Sequence, residues 1–399
     1  MAGLGTQYLR TRSDPGSEAA FLDAVGVFLD QALTPDLQEA GRLTLGVHSD
    51  IAACRIWHQR LFARGWIAPS WPKAFGGTGW STRQRFLFDR ACALADAPLL
   101  FAGGLRSLGP LLIEMGTPAQ KARFLPAILN GDDLWCQGFS EPGAGSDLAA
   151  ISTRATVAGN AYVLNGSKIW TTGAHLANRM FAIVRTGDFA RRQQGLTFLL
   201  LDMDSPGLSV KPILGLAGEH EFNQVFFDDV RVPISNRIGD QDDGWAVAKR
   251  LMTLARSNNT PAALVSRVLR RTAAAIAQAG ETLEPEVRAR LAHLQIRLEA
   301  FQQLELAALP AGRVGPNDPV MASVLKLVGS ELHQDIAQLA MQVRGPFAAA
   351  KLHGLKFTDL DVESGARAMA KHLSVRAASI YSGTSETQRN LIAKHLIEA

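Results

Sequence analysis

Residues Trp135 to Thr172 read WCQGFSEPGAGSDLAAISTRATVAGNAYVLNGSKIWTT. An aromatic-flanked extended run, Trp135-Cys136-Gln137-Gly138-Phe139, leads into the turn Ser140-Glu141-Pro142-Gly143-Ala144-Gly145-Ser146-Asp147. Gly143 and Gly145 let the backbone turn sharply and let a bound group approach closely, because no Cβ stands in the way. Ser140 and Ser146 add short hydrogen-bonding side chains at the same place. Further on, Tyr162-Val163-Leu164 alternates as a strand and Asn165-Gly166 carries the signal of a two-residue hairpin turn. Lys168-Ile169-Trp170-Thr171-Thr172 runs on from that turn, and its indole and two hydroxyls suit a flat ring system. Taken alone, such a glycine turn is an ordinary feature of a β-rich domain.

The flanking sequence changes character on both sides of this stretch. Before it, Phe21, Val25, Phe28 and Leu29, then Ile56, Trp57 and Leu61, recur at helical spacing, with Pro35 opening a polar connection between them. Arg64 to Trp80 is an aromatic loop punctuated by proline and glycine, read as a packed connector between helices. Helical runs follow over Arg83 to Leu94 and from Pro118. The segments Met180 to Arg185, Leu196 to Leu201 and Gln224 to Phe227 are short strands separated by turn residues, as in a β-barrel or sandwich. From Gly244 the helical period returns. One helix runs from Trp245 past Arg256 toward Leu269, others cover Arg288 to Leu309 and Val320 to Val343, and two more flank Ser382. The expected architecture is α+β: an N-terminal all-α domain (1–133), a central β-barrel domain (134–242) and a C-terminal four-helix bundle (243–399).

Composition sets outer bounds. With 399 residues, 47% apolar, the chain can build two or three substantial cores. The balance of 41 basic against 37 acidic residues, net +4, points to neither nucleic acid nor a membrane surface. Cys54, Cys92 and Cys136 are few and scattered, which suits a reducing compartment and supplies neither a disulfide framework nor a metal-ligand set. No apolar run approaches the ~20 residues of a membrane span. Arg10 and Arg12 are soon followed by Asp14 and Glu18, without the apolar core of a secretory signal, so a cytoplasmic location is expected.

SEPGAGSDLAAISTRA followed by NGSKIWTT closely resembles the acyl-CoA dehydrogenase family of flavoproteins. The likeness continues through Gly218-Glu219-His220-Glu221-Phe222-Asn223, Val225 to Pro233, and Ile380-Tyr381-Ser382-Gly383-Thr384-Ser385-Glu386-Thr387-Gln388-Arg389-Asn390, in the family's order. The resemblance implies FAD held between the β domain and the helices, an acyl-CoA substrate, electron transfer to an electron-transfer flavoprotein, and assembly as dimers or tetramers. It implies that the backbone around Phe139 and the Ser140 hydroxyl meet the flavin edge, that Trp170 packs on the ring and that Thr172 bonds near it. Gln342, Thr384 and Glu386 match positions around the adenine-dinucleotide part. Ser146 matches a contact to the phosphopantetheine, and Arg256 a position reaching toward CoA.

The family's reaction removes a proton α to a thioester while hydride leaves the β carbon, so it needs a base, a polarised carbonyl and an oriented ring. Most relatives carry the basic glutamate just before the Gly-Thr-Ser turn, where this chain has Ser382. A smaller group carries it on the first bundle helix, where this chain has Ala255. Neither residue can take the proton unaided. Two further departures concern the flavin diphosphate: Ala279-Gly280-Glu281-Thr282-Leu283-Glu284 replaces an arginine-x-x-phenylalanine-glycine segment, and Gly345-Pro346 replaces a Gly-Gly pair. A backbone N–H at Ser382 still suits a thioester carbonyl. The resemblance is strongest to bacterial members built from two unlike subunits. The expectation is therefore an FAD-dependent acyl-CoA dehydrogenase of fatty-acid or steroid side-chain breakdown, acting in a hetero-oligomer. The alternatives are a base elsewhere in the chain, an acyl-CoA-binding scaffold without redox chemistry, and a flavin enzyme with another reaction.

Overall fold

The computed structural model describes residues 15–255, 261–279, 284–308, 319–345, 348 and 360–398. Helices α1 (Pro15–Ala32), α2 (Pro35–Leu43), α3 (Ile51–Arg64), α4 (Thr82–Leu94), α5 (Gly109–Met115) and α6 (Pro118–Asn130) form the first layer. Local chemistry starts them: Asp50 accepts from Ala52 N and Ala53 N, and Ser81 with Gln84, then Thr117 with Gln120, form capping boxes. Pro35 opens α2 rather than a connection, because the first helical position has no N–H to lose. The loop between α3 and α4 packs its aromatic rings together: Trp66 and Trp80 meet at 5.2 Å and Trp71 Nε1 donates to Leu105 O at 2.8 Å.

Strands β1 (Trp135–Gly138), β2 (Arg154–Ala158), β3 (Ala161–Lys168), β4 (Arg179–Arg185), β5 (Leu196–Asp202), β6 (Leu208–Leu214), β7 (His220–Pro233) and β8 (Arg237–Ile238) follow. Their order is β6-β7-β3-β2-β4-β5-β8, with β1 also on β4. β4 has β5 along one side; along the other, β1 pairs Trp135–Gly138 with Arg179–Ala182, and β2 pairs only at Arg154–Arg185. The Ser140–Asp147 turn leaves the sheet in the gap between β1 and β2. Both faces of β4 and β5 are covered, which explains their unbroken apolar runs. Met180, Ala182, Val184, Leu199 and Leu201 face a core inside the β domain, whereas Phe181, Ile183, Leu196, Phe198 and Leu200 join the core of the N-terminal helices.

The hairpin turn falls elsewhere than Asn165-Gly166. Ala158 stands opposite Ala161, so Gly159-Asn160 makes the turn between β2 and β3, with Gly159 at φ +65°. Asn165 and Gly166 lie inside β3, where its pairing with β7 slips between Leu164 and Gly166. Asn165 Nδ2 donates to Asp229 Oδ1 at 2.9 Å across that irregularity. Gly166 has φ +141°, and a Cβ there would come 2.8 Å from Thr153 Cα. Gly166→Ala is expected to cost about 1–3 kcal/mol from backbone strain alone, with the clash in addition, as a urea-melt midpoint would show.

Helix α7 (Gly244–Ala255) and helix α8 (Ala262–Ala279) serve different cores. Val247, Ala248, Leu251 and Leu254 of α7 pack with the N-terminal helices and the sheet. Val265, Leu269 and Ile276 of α8 pack instead with helix α9 (Pro285–Ala308) and helix α10 (Pro319–Val343), through Leu294, Leu298, Phe301, Leu325, Leu332, Ile336 and Leu339. Helix α11 (Leu360–Ser374) and helix α12 (Ser385–Glu398) complete that bundle against α10. Two polar seams join the layers. Gln120 Nε2 donates to Ser235 O and Arg237 O beside β8, and Asp96 accepts from Arg270 and Arg271 of α8. Among the described residues no helix is long and apolar enough to cross a membrane.

Candidate active site at the ends of the β strands

A buried ion pair holds the glycine turn to the end of β3. Lys168 Nζ lies 2.7 Å from Glu141 Oε1, and both side chains are shielded from solvent. The ammonium also donates to Ile183 O at 2.7 Å and Phe139 O at 3.2 Å, which uses all three of its protons. Glu141 accepts in addition from Ser152 N, Ser152 Oγ and Thr153 N. Burial opposes ionisation of Glu141, but Lys168 and these donors outweigh it and hold the carboxyl below its usual range. Burial pushes the Lys168 ammonium down, and Glu141 keeps it charged against that. Five segments thus meet on one pair: the end of β1, the turn, the start of β2, the end of β3 and the middle of β4. Directly beside it, Ile169 N donates to Ser140 O at 2.9 Å.

The next residue, Trp170, stands in the left-handed region at φ +59° and is 58% exposed. Its ring touches Phe222 edge-on, with centroids 6.1 Å apart and planes at 83°. A large indole thus stands in a strained backbone position, turned outward just beyond the end of β3. Thr171 is buried and bound on both sides to Asn223: its N–H donates to Asn223 O at 2.9 Å, and its carbonyl accepts from Asn223 Nδ2 at 3.0 Å. Thr171 Oγ1 is buried without a partner among the described residues. Gly173 N donates to Glu221 O at 2.8 Å.

The loop 44–49 ties Glu221 to the C-terminal helices. Glu221 Oε1 accepts from Val47 N at 2.8 Å, and Gly46 lacks the Cβ that would collide with this carboxylate. Leu45 O in the same loop accepts from Lys371 Nζ and Ser374 Oγ of α11. Burial and, next, the charge of Glu221 push the Tyr381 phenol up. Ser382 is exposed at φ +56°, followed by Gly383 at φ +85°. The loop is tied down by Gln388 Nε2 on Ser382 O at 3.1 Å and by Lys326 Nζ on Gly383 O at 2.7 Å.

Of the sequence candidates, Phe139, Ser140, Trp170 and Thr172 converge in the β domain. The Phe139 ring itself is core, edge-on to Phe181 and Phe198 at 6.0 Å each, so only its backbone faces the site. Ser146 is exposed on the outer limb of the turn, beside the Arg192–Asp147 ion pair at 3.1 Å. Gly143 and Gly145 are not left-handed, and a Cβ on either would meet nothing within 4 Å. A side chain at either position would therefore fit the turn as it stands. Thr384 caps α12, accepting from Thr387 N at 3.1 Å, and Glu386 is exposed in that helix's first turn. Gln342 accepts from Arg290 Nη1 at 2.7 Å at the far end of α10. Lys326, which binds Gly383 O, lies about 24 Å before it along the helix axis at ~1.5 Å per residue. One chain therefore does not bring Gln342 together with Thr384. Ala255 is the last residue of α7; its side chain and Arg256 lie outside the described residues, as do residues 280–283 and Pro346.

The sequence reading did not single out Glu141, Lys168 or Asn223. A signal for the pair existed: Lys168 shares the inward parity of Tyr162 and Leu164, and an inward lysine requires a buried acceptor.

Three family profiles match in succession: acyl-CoA dehydrogenase, N-terminal domain, over residues 16–132; middle domain, over 136–230; and C-terminal domain, over 242–397. The chain belongs to the acyl-CoA dehydrogenase family. It is 38% identical to acyl-CoA dehydrogenase IpdE1 of Mycobacterium tuberculosis over 360 residues, covering 88% of this chain and 89% of that protein. Among solved structures, the "Tcur3481-Tcur3483 steroid ACAD" superposes with TM-score 0.82 at 25% identity, covering 97% and 98% of the two chains. The ChsE4-ChsE5 complex from Mycobacterium tuberculosis superposes with TM-score 0.81 at 28% identity, covering 98% and 99%. As an acyl-CoA dehydrogenase the chain falls among oxidoreductases acting on CH–CH groups.

Proposed function

We propose that this acyl-CoA dehydrogenase is the subunit that shapes the flavin slot in an assembly of two unlike chains, with its partner carrying the catalytic carboxylate. The carrying observation is that neither base position holds an acid, Ala255 and Ser382 standing there, while Trp170 is turned outward in the β domain. The residues present fit FAD. The exposed Trp170 follows Ile169, whose N–H ties this strand end to Ser140 of the glycine turn, and the neighbouring Thr171 hydroxyl is buried without a partner among the described residues. Ser140, Trp170, Thr172 and the backbone around Phe139 would hold the ring, and Thr384 and Glu386 the dinucleotide; when bound, FAD supplies the acceptor for the hydride. Gln342 fits the same dinucleotide only from a second chain, because its own Thr384 is too far along the bundle. The Ser382 N–H donates to the thioester carbonyl and makes the α proton more acidic, Ser146 and Arg256 bind the CoA arm, and electrons leave for an electron-transfer flavoprotein in the cytoplasm.

Structures of related assemblies support the two-chain reading: the Tcur3481-Tcur3483 steroid ACAD and the ChsE4-ChsE5 complex are each named as a pair of chains. The substrate class that follows is an acyl-CoA thioester, with steroid side chains as the first candidates. Co-expression with a related chain that has glutamate at either base position tests this. The pair should purify yellow and reduce a dye with acyl-CoA, while this chain alone carries little flavin and reduces none. Dye reduction by the lone chain would reject the proposal. Acyl-CoA binding without flavin in every pairing would favour the scaffold reading.

A further inference from the structure

The segment His220 to Asn223 contains a side-chain network that the proposed chemistry does not use. Asn223 is fully buried at the start of β7. Its Nδ2 faces Thr171 O at 3.0 Å and His175 Nδ1 at 3.1 Å, and its Oδ1 faces His220 Nε2 at 2.8 Å. The two imidazoles stack with centroids 3.7 Å apart and planes at 17°. The Thr171 carbonyl can only accept, so the Asn223 atom facing it is the amide NH₂. The other amide atom is then the oxygen, and His220 must present its N–H to it. The second NH₂ proton points at His175 Nδ1, which must therefore carry a lone pair. This arrangement requires His175 to be neutral, with its proton on Nε2.

We infer that Asn223 is a positioning residue for the strand end Trp170 to Gly173, and that His175 makes its hold sensitive to protons. Protonating His175 at Nδ1 sets an N–H against the Asn223 N–H. The amide must then give up that contact or rotate, and rotation takes its donor away from Thr171 O. His175 is faced by His220 from β7 and by His48 from the loop 44–49; burial first, then His220, lowers its pKa from 6.5, with His48 adding to this. A depressed folded value means that the unfolded state binds more protons below pH 6.5, so the network is fully held above that pH and weakens as pH falls. Its consequence for the flavin wall rests on the proposed function; the network itself does not.

Hydrogen exchange on the full-length, flavin-free chain between pH 5 and 8, corrected for intrinsic rates, tests the inference at the Thr171 and Gly173 amides. Protection should fall as pH drops below about 6.5 in the parent. It should lose that pH dependence in His175→Phe, a change at an exposed position that keeps the stacking. Asn223→Ala should lower protection about 5–10-fold at every pH, the loss of roughly one hydrogen bond. PH-independent protection in the parent, or an unchanged profile in His175→Phe, would overturn the inference even if Asn223→Ala fails to fold. If the lock is present but no pairing of chains takes up flavin, the inference stands and the flavin reading fails.

Discussion

Lys168→Met is expected to destabilise the chain by about 3–5 kcal/mol, the cost of leaving a buried carboxylate without its partner. The size follows from the geometry around Glu141. Its carboxylate is 5% exposed as a residue and is surrounded by donors that keep it ionised, so removing the ammonium leaves charge in a dry interior. The Phe139 and Ile183 carbonyls lose a donor in the same step. Adding Glu141→Gln should recover a large part of the loss, because a neutral amide oxygen can still accept from Ser152 N and Thr153 N. Since the folded pKa of Glu141 lies below its ordinary 4.5, the pair contributes fully above that pH and its contribution is lost as pH falls through the folded value. Urea midpoints of the single and double variants between pH 3 and 7 measure both effects. A loss under about 1 kcal/mol for Lys168→Met would show that the pair is worth no more than an exposed one. Flavin uptake should fall with the single variant, because the same pair fixes the spacing between Ser140 and Trp170.

Ala255→Glu carries the second large effect. In the flavin-loaded assembly whose partner glutamate has been changed to glutamine, this variant should raise the rate of flavin bleaching by acyl-CoA about 10²–10⁴-fold, the range a positioned general base contributes. The substitution sits at the end of α7, whose Leu251 and Leu254 anchor it in the core beside the sheet. Ser382→Glu is a less favourable site for a base, since Ser382 has φ +56° and a longer side chain must share that strained backbone. An Ala255→Glu protein that binds flavin and acyl-CoA yet stays unbleached would show that α7 does not end at the reacting carbon.

Much of the fold was legible because its signals are local. The apolar runs in Met180 to Arg185 and Leu196 to Leu201 and the helical spacing in α9 and α10 act over one or two turns or strands. The errors came where one local signal had two structural uses. Asn165-Gly166 reads as a hairpin turn, but close passage of Thr153 made it a strand irregularity, and Gly159-Asn160 turned the chain instead. Pro35 reads as a break and serves as a helix start. Periodicity from Trp245 to Leu269 reads as one helix, yet its two ends were recruited by different cores.

By itself the sequence determined the family, the succession of helical, β and helical regions and the absence of a carboxylate at positions 255 and 382. Those properties reside in residue identity and short-range backbone preference. Tertiary structure alone decided that Lys168 and Glu141 share one dry site, that Asn223 holds Thr171 beside two stacked imidazoles, and that Gln342 stands about 24 Å along α10 from the Lys326 that holds the Gly383 carbonyl. Each of these depends on segments far apart in the chain being packed at hydrogen-bond distance or held apart by a rigid helix. Desolvation and helix geometry set such relations, and neither acts until the cores have formed.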